Sequence, residues 1–216
     1  MNADMLIEAA KEAMYAWLEK EGLGLQDPAL PAPVLAMTTV FFVRIAVGKN
    51  TANPTVRRER YFVWRLLEVA SRRSLGLELS DIGLCREGER WTSELADISL
   101  SHGGALAVAI SGAPVGVDIE LLSDGSDGDR LAERFFSDAE RAEYYAAPEE
   151  ERRLAFLRIW TAKEAIFKSQ RASVFAPSDV DSRSRKVYTR ILRFGDRDFV
   201  LSVASENEPR VNIVEL

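Results

Sequence analysis

Apolar residues recur at helical spacing in three stretches of the chain and at strand spacing through much of the rest. Over residues 4–21, Leu6, Ala9, Ala10, Ala13, Met14, Trp17 and Leu18 share one helical face. Glu8, Lys11, Glu12, Glu19 and Lys20 fall largely off it, and Gly22 and Gly24 end the helix. Pro28, Pro31 and Pro33 mark residues 25–36 as a linker. Met37–Val47, β-branched and aromatic, predicts a strand, and Gly48–Pro54 a loop. Arg57–Arg73 predicts a helix with Phe62, Leu66, Leu67 and Ala70 inward. Ile82–Trp91 reads as short strand and turn, and Ile98–Ile110 as strand, turn and strand about Gly103-Gly104.

The second part of the chain repeats that order. Residues 116–120, Gly-Val-Asp-Ile-Glu, predict a strand. Leu131–Phe136 begins a helix, Ser137 with Glu140 makes a capping box, and the next helix runs to about Tyr145. Glu149–Ser169 predicts a long helix, Lys186–Phe194 and Phe199–Ser205 strands, and Val211–Val214 a last strand. Strand, helix and strands therefore follow one another twice, near 37–110 and 114–216, with no short-period repeat.

Two stretches carry chemistry. In a strand, alternate side chains share a face. Asp118 and Glu120 thus point one way, and Val117 and Ile119 point the other way, into a core. Two carboxylates so placed are costly unless something positive sits between them. About forty residues on, Trp160, Glu164 and Lys168 stack at i, i+4 and i+8 of the long helix. If that face meets the strand, three carboxylates and a lysine converge, which suits a hard divalent cation on a phosphate-bearing substrate. The other reading is a salt-bridge network of Asp118 and Glu120 with Lys163 and Lys168.

With both motifs in this order and spacing, G-V-D-I-E then W-T-A-K-E-A-I-F-K, residues 57–178 resemble the 4′-phosphopantetheinyl transferases. Phe135-Phe136-Ser137 fits as well, and Ser101-His102 points to the two-halved type that activates peptide and polyketide synthetases. The resemblance implies an α+β pseudo-dimer. Each half would be a small antiparallel sheet packed with a long helix, with the active site in the cleft between halves. The chain then divides into an N-terminal helix and linker (1–36), an N-terminal half (37–113) and a C-terminal half (114–216). The first helix looks like an addition to the family's usual start, packing on the body or docking a partner.

The implied activity is Mg²⁺-dependent transfer (Mn²⁺ as the substitute) of 4′-phosphopantetheine from coenzyme A to a serine of an apo acyl or peptidyl carrier protein. Fatty-acid, polyketide and peptide synthetases are the settings for such holo-carrier-protein synthases. The resemblance makes Asp118, Glu120 and Glu164 the metal ligands. It puts Lys168, and from the neighbouring face Lys163, on phosphate oxygens. Glu164 is also the candidate base, and Asp118, Glu164 and Lys168 form the catalytic set. Arg60, Arg90, Ser101 and His102 are expected on coenzyme A. Ser-His nucleophilic catalysis is not expected, because adjacent strand residues point apart and no third residue orients the histidine. Trp160 is expected to pack the helix rather than touch substrate.

Three positions depart from the family pattern. Gly88-Glu89-Arg90 replaces the usual Gly-Lys-Pro beside the adenine, Ser99 and Gly103 flank Ser101-His102 where Asn and Ser are common, and Gln170-Arg171-Ala172 replaces a Gly-x-Gly. That last loop borders the pantetheine arm and the carrier protein in the family.

Composition narrows the alternatives. At 216 residues and 47% hydrophobic, the chain is long and apolar enough to bury a substantial core. One cysteine, Cys85, forms no internal disulfide, so a reducing, cytoplasmic setting is expected. Met-Asn-Ala-Asp-Met lacks the basic region of a secretory leader, and no run approaches a membrane span. A net charge of −6 argues against nucleic acid as partner. The acidic loop at 123–130 lacks the spacing of a calcium loop. A monomer is expected. A metal-dependent pyrophosphohydrolase acting on coenzyme A, or a non-catalytic carrier-protein-binding module, are the competing functions.

Overall fold

The computed structural model describes residues 38–44, 55–87, 90–123, 125, 127–171, 175–206 and 211–215. The expected N-terminal helix and linker, the loop at 48–54 and the turn residues Gly88 and Glu89 lie outside the described residues. The elements in chain order are β1 (Thr38–Arg44), α1 (Thr55–Leu75), β2 (Cys85–Glu87), β3 (Arg90–Thr92), β4 (Asp97–His102) and β5 (Ala105–Ser111). They continue with β6 (Val115–Leu122), α2 (Gly128–Phe135), α3 (Asp138–Ala146), α4 (Arg152–Ser169), β7 (Lys186–Phe194), β8 (Arg197–Ser205) and β9 (Val211–Glu215). No helix among the described residues is long and apolar enough to cross a membrane.

The strands form a four-stranded sheet ordered β4-β5-β1-β9, a three-stranded sheet ordered β6-β8-β7, and the small β2-β3 hairpin. Within β1-β5-β4 and β6-β8-β7 the connectivity is the same. In each, the first strand leads through a helix to a hairpin whose second strand returns between the other two. All these pairings are antiparallel. One strand departs from the expected halves. β9 pairs in parallel with β1, so a segment near residue 213 completes the sheet of the first half.

The period-two alternation decides the layering. Ala105, Ala107 and Ala109 of β5 face Val117, Ile119, Phe199, Leu201 and Val203 of the second sheet in one core. Leu106, Val108 and Ile110 turn to the opposite side, against Leu66, Leu67 and Ala70 of α1. β8 does the same: Val200 meets Phe156, Leu157 and Ile159 of α4, and Ala204 meets Ala165 and Ile166. The order of layers is α1, first sheet, second sheet, α4. Burying a side chain such as Leu66 or Leu67 contributes about 1.5–3 kcal/mol. The alanines of β5 let the two sheets approach closely. The sandwiching also explains why every residue of β5 is buried.

Candidate active site

β6 is the edge strand of its sheet, and its free side is covered by side chains rather than by another strand. The N–H groups of Val115, Val117 and Ile119 donate to Asp97 Oδ2 (2.7 Å), Ser99 Oγ (3.0 Å) and Ser101 Oγ (3.3 Å) of β4. Short acceptors at every second residue of β4 therefore satisfy every second donor of β6. Ser101 also donates to Asp118 Oδ1 at 2.6 Å, which fixes that carboxylate where the two sheets meet.

Two glycines let other parts of the chain close in. A Cβ at Gly116 would overlap the Ala165 carbonyl oxygen, so only glycine lets α4 lie directly on β6. That close approach brings Glu164 and Lys168 to Asp118. A Cβ at Gly103 would overlap the Ile119 carbonyl oxygen and stand 2.8 Å from Glu120 Oε2. The β4–β5 turn thus rests its backbone against Glu120.

The expected convergence of strand and helix is present. Lys168 Nζ lies 2.7 Å from Asp118 Oδ1 and 3.5 Å from Glu164 Oε2. Trp160 Nε1–H donates to Glu164 Oε1 at 3.0 Å. The indole itself stacks on Phe156 and meets Phe135 and Phe175 edge-on. Trp160 packs the helix as expected, and it also orients a site carboxylate, which helical spacing alone did not reveal.

The site carries more negative charge than its protein partners balance. Burial, then Asp118 and Glu164, push the Glu120 carboxyl up to about 7, against the pull of Lys168 and Arg153. Burial, then Asp118, likewise raise Glu164, opposed by Lys168 and Trp160. Among the described residues Asp118 Oδ2 is buried without a hydrogen-bond partner. An orphaned buried carboxylate oxygen beside two raised carboxyls is the donor set of a hard divalent cation. Asp118, Glu120 and Glu164 fit Mg²⁺ or Mn²⁺ by chemistry. Among the described residues no three such side chains are yet gathered at ligating distances. The Lys168 ammonium bridges Asp118 and Glu164 instead.

Three residues expected on coenzyme A or its phosphates are engaged elsewhere. Lys163 is fully buried and pairs with Glu140 Oε2 at 2.7 Å, over the ring of Phe136. It lies five residues from Lys168, which turns it about 140° around the helix. The expectation that it reaches a phosphate is therefore corrected: it ties α4 to α3. Its partner Glu140 is the capping-box residue of Ser137 and also accepts the Ser182 N–H at 2.6 Å. Ser101 is buried with its hydroxyl between Asp118 and the Ile119 N–H, so it positions Asp118 rather than meeting ligand. Arg90 donates to both Asp97 oxygens at 3.2 Å and to the Lys168 carbonyl, so its guanidinium joins parts of the chain instead of standing free for a nucleotide. His102 is exposed at the end of β4 while Ser101 is buried, the opposed directions expected of neighbours in a strand. Arg60 belongs to α1, and its side chain lies outside the described residues.

The two sheets and α4 thus bring Asp118, Glu164 and Lys168 into one cluster beside Glu120. Residues 114–210 match the model of the 4′-phosphopantetheinyl transferase superfamily. The 4′-phosphopantetheinyl transferase AcpT of Salmonella typhimurium is 41% identical over 87 residues, 39% of this chain and 45% of that protein. AcpT of Escherichia coli is 34% identical over 134 residues, 58% of this chain and 65% of that protein. A 4′-phosphopantetheinyl transferase of Bacillus subtilis is 29% identical over 119 residues, 53% of this chain and 52% of that protein. The matched stretches thus span about half to just under two thirds of these relatives. Over residues 114–210, somewhat less than half of its length, the chain is similar to the 4′-phosphopantetheinyl transferase superfamily.

Proposed function

We propose that this protein transfers the 4′-phosphopantetheine group of coenzyme A to a serine of an apo acyl or peptidyl carrier protein. The observation that carries the reading is the meeting of Asp118 and Glu120 on β6 with Glu164 and Lys168 on α4, one buried carboxylate oxygen left without a partner. The superfamily match and the relatives' names support transfer of phosphopantetheine in general.

Asp118, Glu120 and Glu164 would hold a divalent ion, which would supply neutralisation of the pyrophosphate charge. Lys168, with 24% of its side chain exposed, can turn its ammonium from Asp118 to a phosphate oxygen as a compact point charge. The carrier serine Oγ attacks the β-phosphorus of coenzyme A. The Oγ–P bond forms, the bond to the oxygen bridging the two phosphates breaks, and 3′,5′-ADP leaves. The serine proton passes to Glu164, directly or through water. Proton transfer to a positioned carboxylate is an ordinary general-base role. Ser101 and Trp160 hold Asp118 and Glu164 in place. His102, exposed beside the Gly103-Gly104 turn, is read as a contact for a coenzyme A phosphate.

The shared connectivity of β1-β5-β4 and β6-β8-β7 supports a monomer built as a pseudo-dimer, with the site in the cleft where β4 meets β6. The single cysteine supports a reducing, cytoplasmic setting. The test is incubation with coenzyme A, Mg²⁺ and a panel of apo carrier proteins from fatty-acid, polyketide and peptide synthetases. One carrier should gain the mass of one phosphopantetheine. Hydrolysis of coenzyme A without any acceptor, or no reaction at all, contradicts the reading.

A further inference from the structure

The C-terminal turn of α4 is fastened to the first sheet by side chains that the reaction chemistry does not use. Asp97, buried at the start of β4, accepts Arg171 Nη2–H at 2.8 Å and Arg90 Nη2–H at 3.2 Å on Oδ1. Its Oδ2 accepts Arg90 Nη2–H at 3.2 Å and the Val115 N–H at 2.7 Å. Arg90 Nη1 and the Arg171 N–H both donate to the carbonyl of Lys168. The site lysine therefore has its own backbone pinned by the two arginines that Asp97 gathers. Both cations also stand at the negative end of the helix, where positive charge is favoured.

Arg171 holds a backbone φ of +57°, the left-handed conformation that disfavours a side chain. Glycine would adopt it with less strain. The guanidinium's bond to Asp97 and the N–H bond to the Lys168 carbonyl offset that disadvantage.

We propose that Arg171, acting through Asp97, is a positioning residue for the transfer reaction. The Arg171–Asp97–Arg90 group fixes the last turn of α4, from which Lys168 reaches Asp118 and Glu164 in the free protein and a phosphate oxygen once substrate is bound. The catalytic consequence rests on the transferase reading given above. The placement of Lys168 does not.

Arg171→Gly is the informative variant, because glycine suits the left-handed backbone and the Arg171 side chain is 57% exposed. The first readout needs no activity. The protein is treated briefly with an amine-acylating reagent, and Lys168 modification is measured by peptide mass against exposed Lys186. Held against Asp118, Lys168 is protected, and Arg171→Gly should raise its labelling several-fold relative to Lys186. An unchanged ratio overturns the proposal. The second readout is a double-mutant cycle on transfer. Alone, Arg171→Gly should lower kcat about ten- to a hundredfold, the scale of a small misplacement of a catalytic group. Added to Lys168→Ala it should cost less than about twofold, since the group it positions is gone. An equal cost in both backgrounds overturns the proposal and leaves the transferase reading standing. If the wild-type protein modifies no carrier at all, the transferase reading fails and the labelling ratio alone decides where Arg171 acts.

Discussion

Helix α4 carries two lysine–carboxylate clusters of opposite character. Lys163 and Glu140 are both sealed from solvent, and Glu140 also accepts the N–H groups of Ser137 and Ser182. Burial alone would raise the Glu140 carboxyl, but the Lys163, Ser182 and Ser137 hydrogen bonds outweigh it and leave it lowered. At Lys168, five residues on, one ammonium serves Asp118 and Glu164. Burial and mutual repulsion leave Glu120 and Glu164 raised. The first cluster is electrostatically complete and holds α3 to α4. The second is incomplete: one ammonium faces carboxylates it does not fully satisfy, and Asp118 Oδ2 is buried without a partner among the described residues. Both lysines belong to the W-T-A-K-E-A-I-F-K motif, so the motif alone does not say which lysine does chemistry. The difference lies in whether the neighbouring carboxylates are already satisfied.

The largest expected effect falls on the complete cluster. Glu140→Gln strands a buried ammonium and should cost about 3–5 kcal/mol of stability, read by denaturant unfolding at neutral pH. A carboxyl lowered on folding stabilises above its unfolded pKa, and that contribution is lost as pH falls through the folded one. The gap between wild type and Glu140→Gln should therefore be widest above the ordinary glutamate value of 4.5 and narrow below it. Replacing both partners, Glu140→Leu with Lys163→Met, should recover most of the loss. A double variant as unstable as the single one would show that the pair is not acting as a pair.

Next comes the incomplete cluster. Asp118→Ala removes the carboxylate that Ser101 and Lys168 hold, and transfer should fall by about 1,000-fold. Mn²⁺ binding, followed by the loss of the free ion's magnetic resonance signal, should weaken with it. Normal turnover at saturating coenzyme A would remove Asp118 from the site. A smaller effect is expected at His102. His102→Ala should weaken coenzyme A binding by about 1.5–3 kcal/mol, measured by calorimetry, with little further change for dephospho-coenzyme A. Equal losses for both nucleotides would mean that His102 does not read the 3′-phosphate. The smallest is Trp160→Phe, which keeps the ring stack and deletes the bond to Glu164. Transfer should drop by about 1 kcal/mol, or about fivefold, with the folding midpoint nearly unchanged. A collapse in stability would make Trp160 a packing residue only.

Much of the fold was legible because β5 and β8, buried on both faces, read as near-continuous strand-forming runs, while α1 and α4 carry apolar residues at helical spacing. The capping box at Ser137 and Glu140 was visible as a local spacing. The pairing of Asp118 and Glu120 with Glu164 and Lys168 was legible in two motifs whose side chains had to share faces. What lay hidden depends on contacts far apart in the chain. Nothing near residue 213 announces that β9 pairs in parallel with β1. Lys163 could have been separated from Lys168 by its angle on the helix, but its partner Glu140 is 23 residues away. The alternation Asp97, Ser99, Ser101 was the one available hint of the acceptors that cover β6. It reads as an ordinary polar strand face until the edge it covers is known. Arg90 and Arg171 read as surface cations for the same reason, because Asp97 and the Lys168 carbonyl meet them only in the folded chain.

The incomplete cluster at Lys168 is expected to do chemistry, and the complete one at Lys163 to hold the fold. The most direct measurement sets Lys168→Ala and Glu164→Gln beside wild type, with melting temperature and phosphopantetheine transfer read on the same preparations. A purely structural surface pair would be worth only about 0–1 kcal/mol, whereas groups aimed at a transition state cost about 100–1,000-fold in rate when one is removed. Both variants should melt close to wild type and transfer slower by that factor. Variants that melt far below wild type, while their folded fraction transfers at the wild-type rate, would contradict the account.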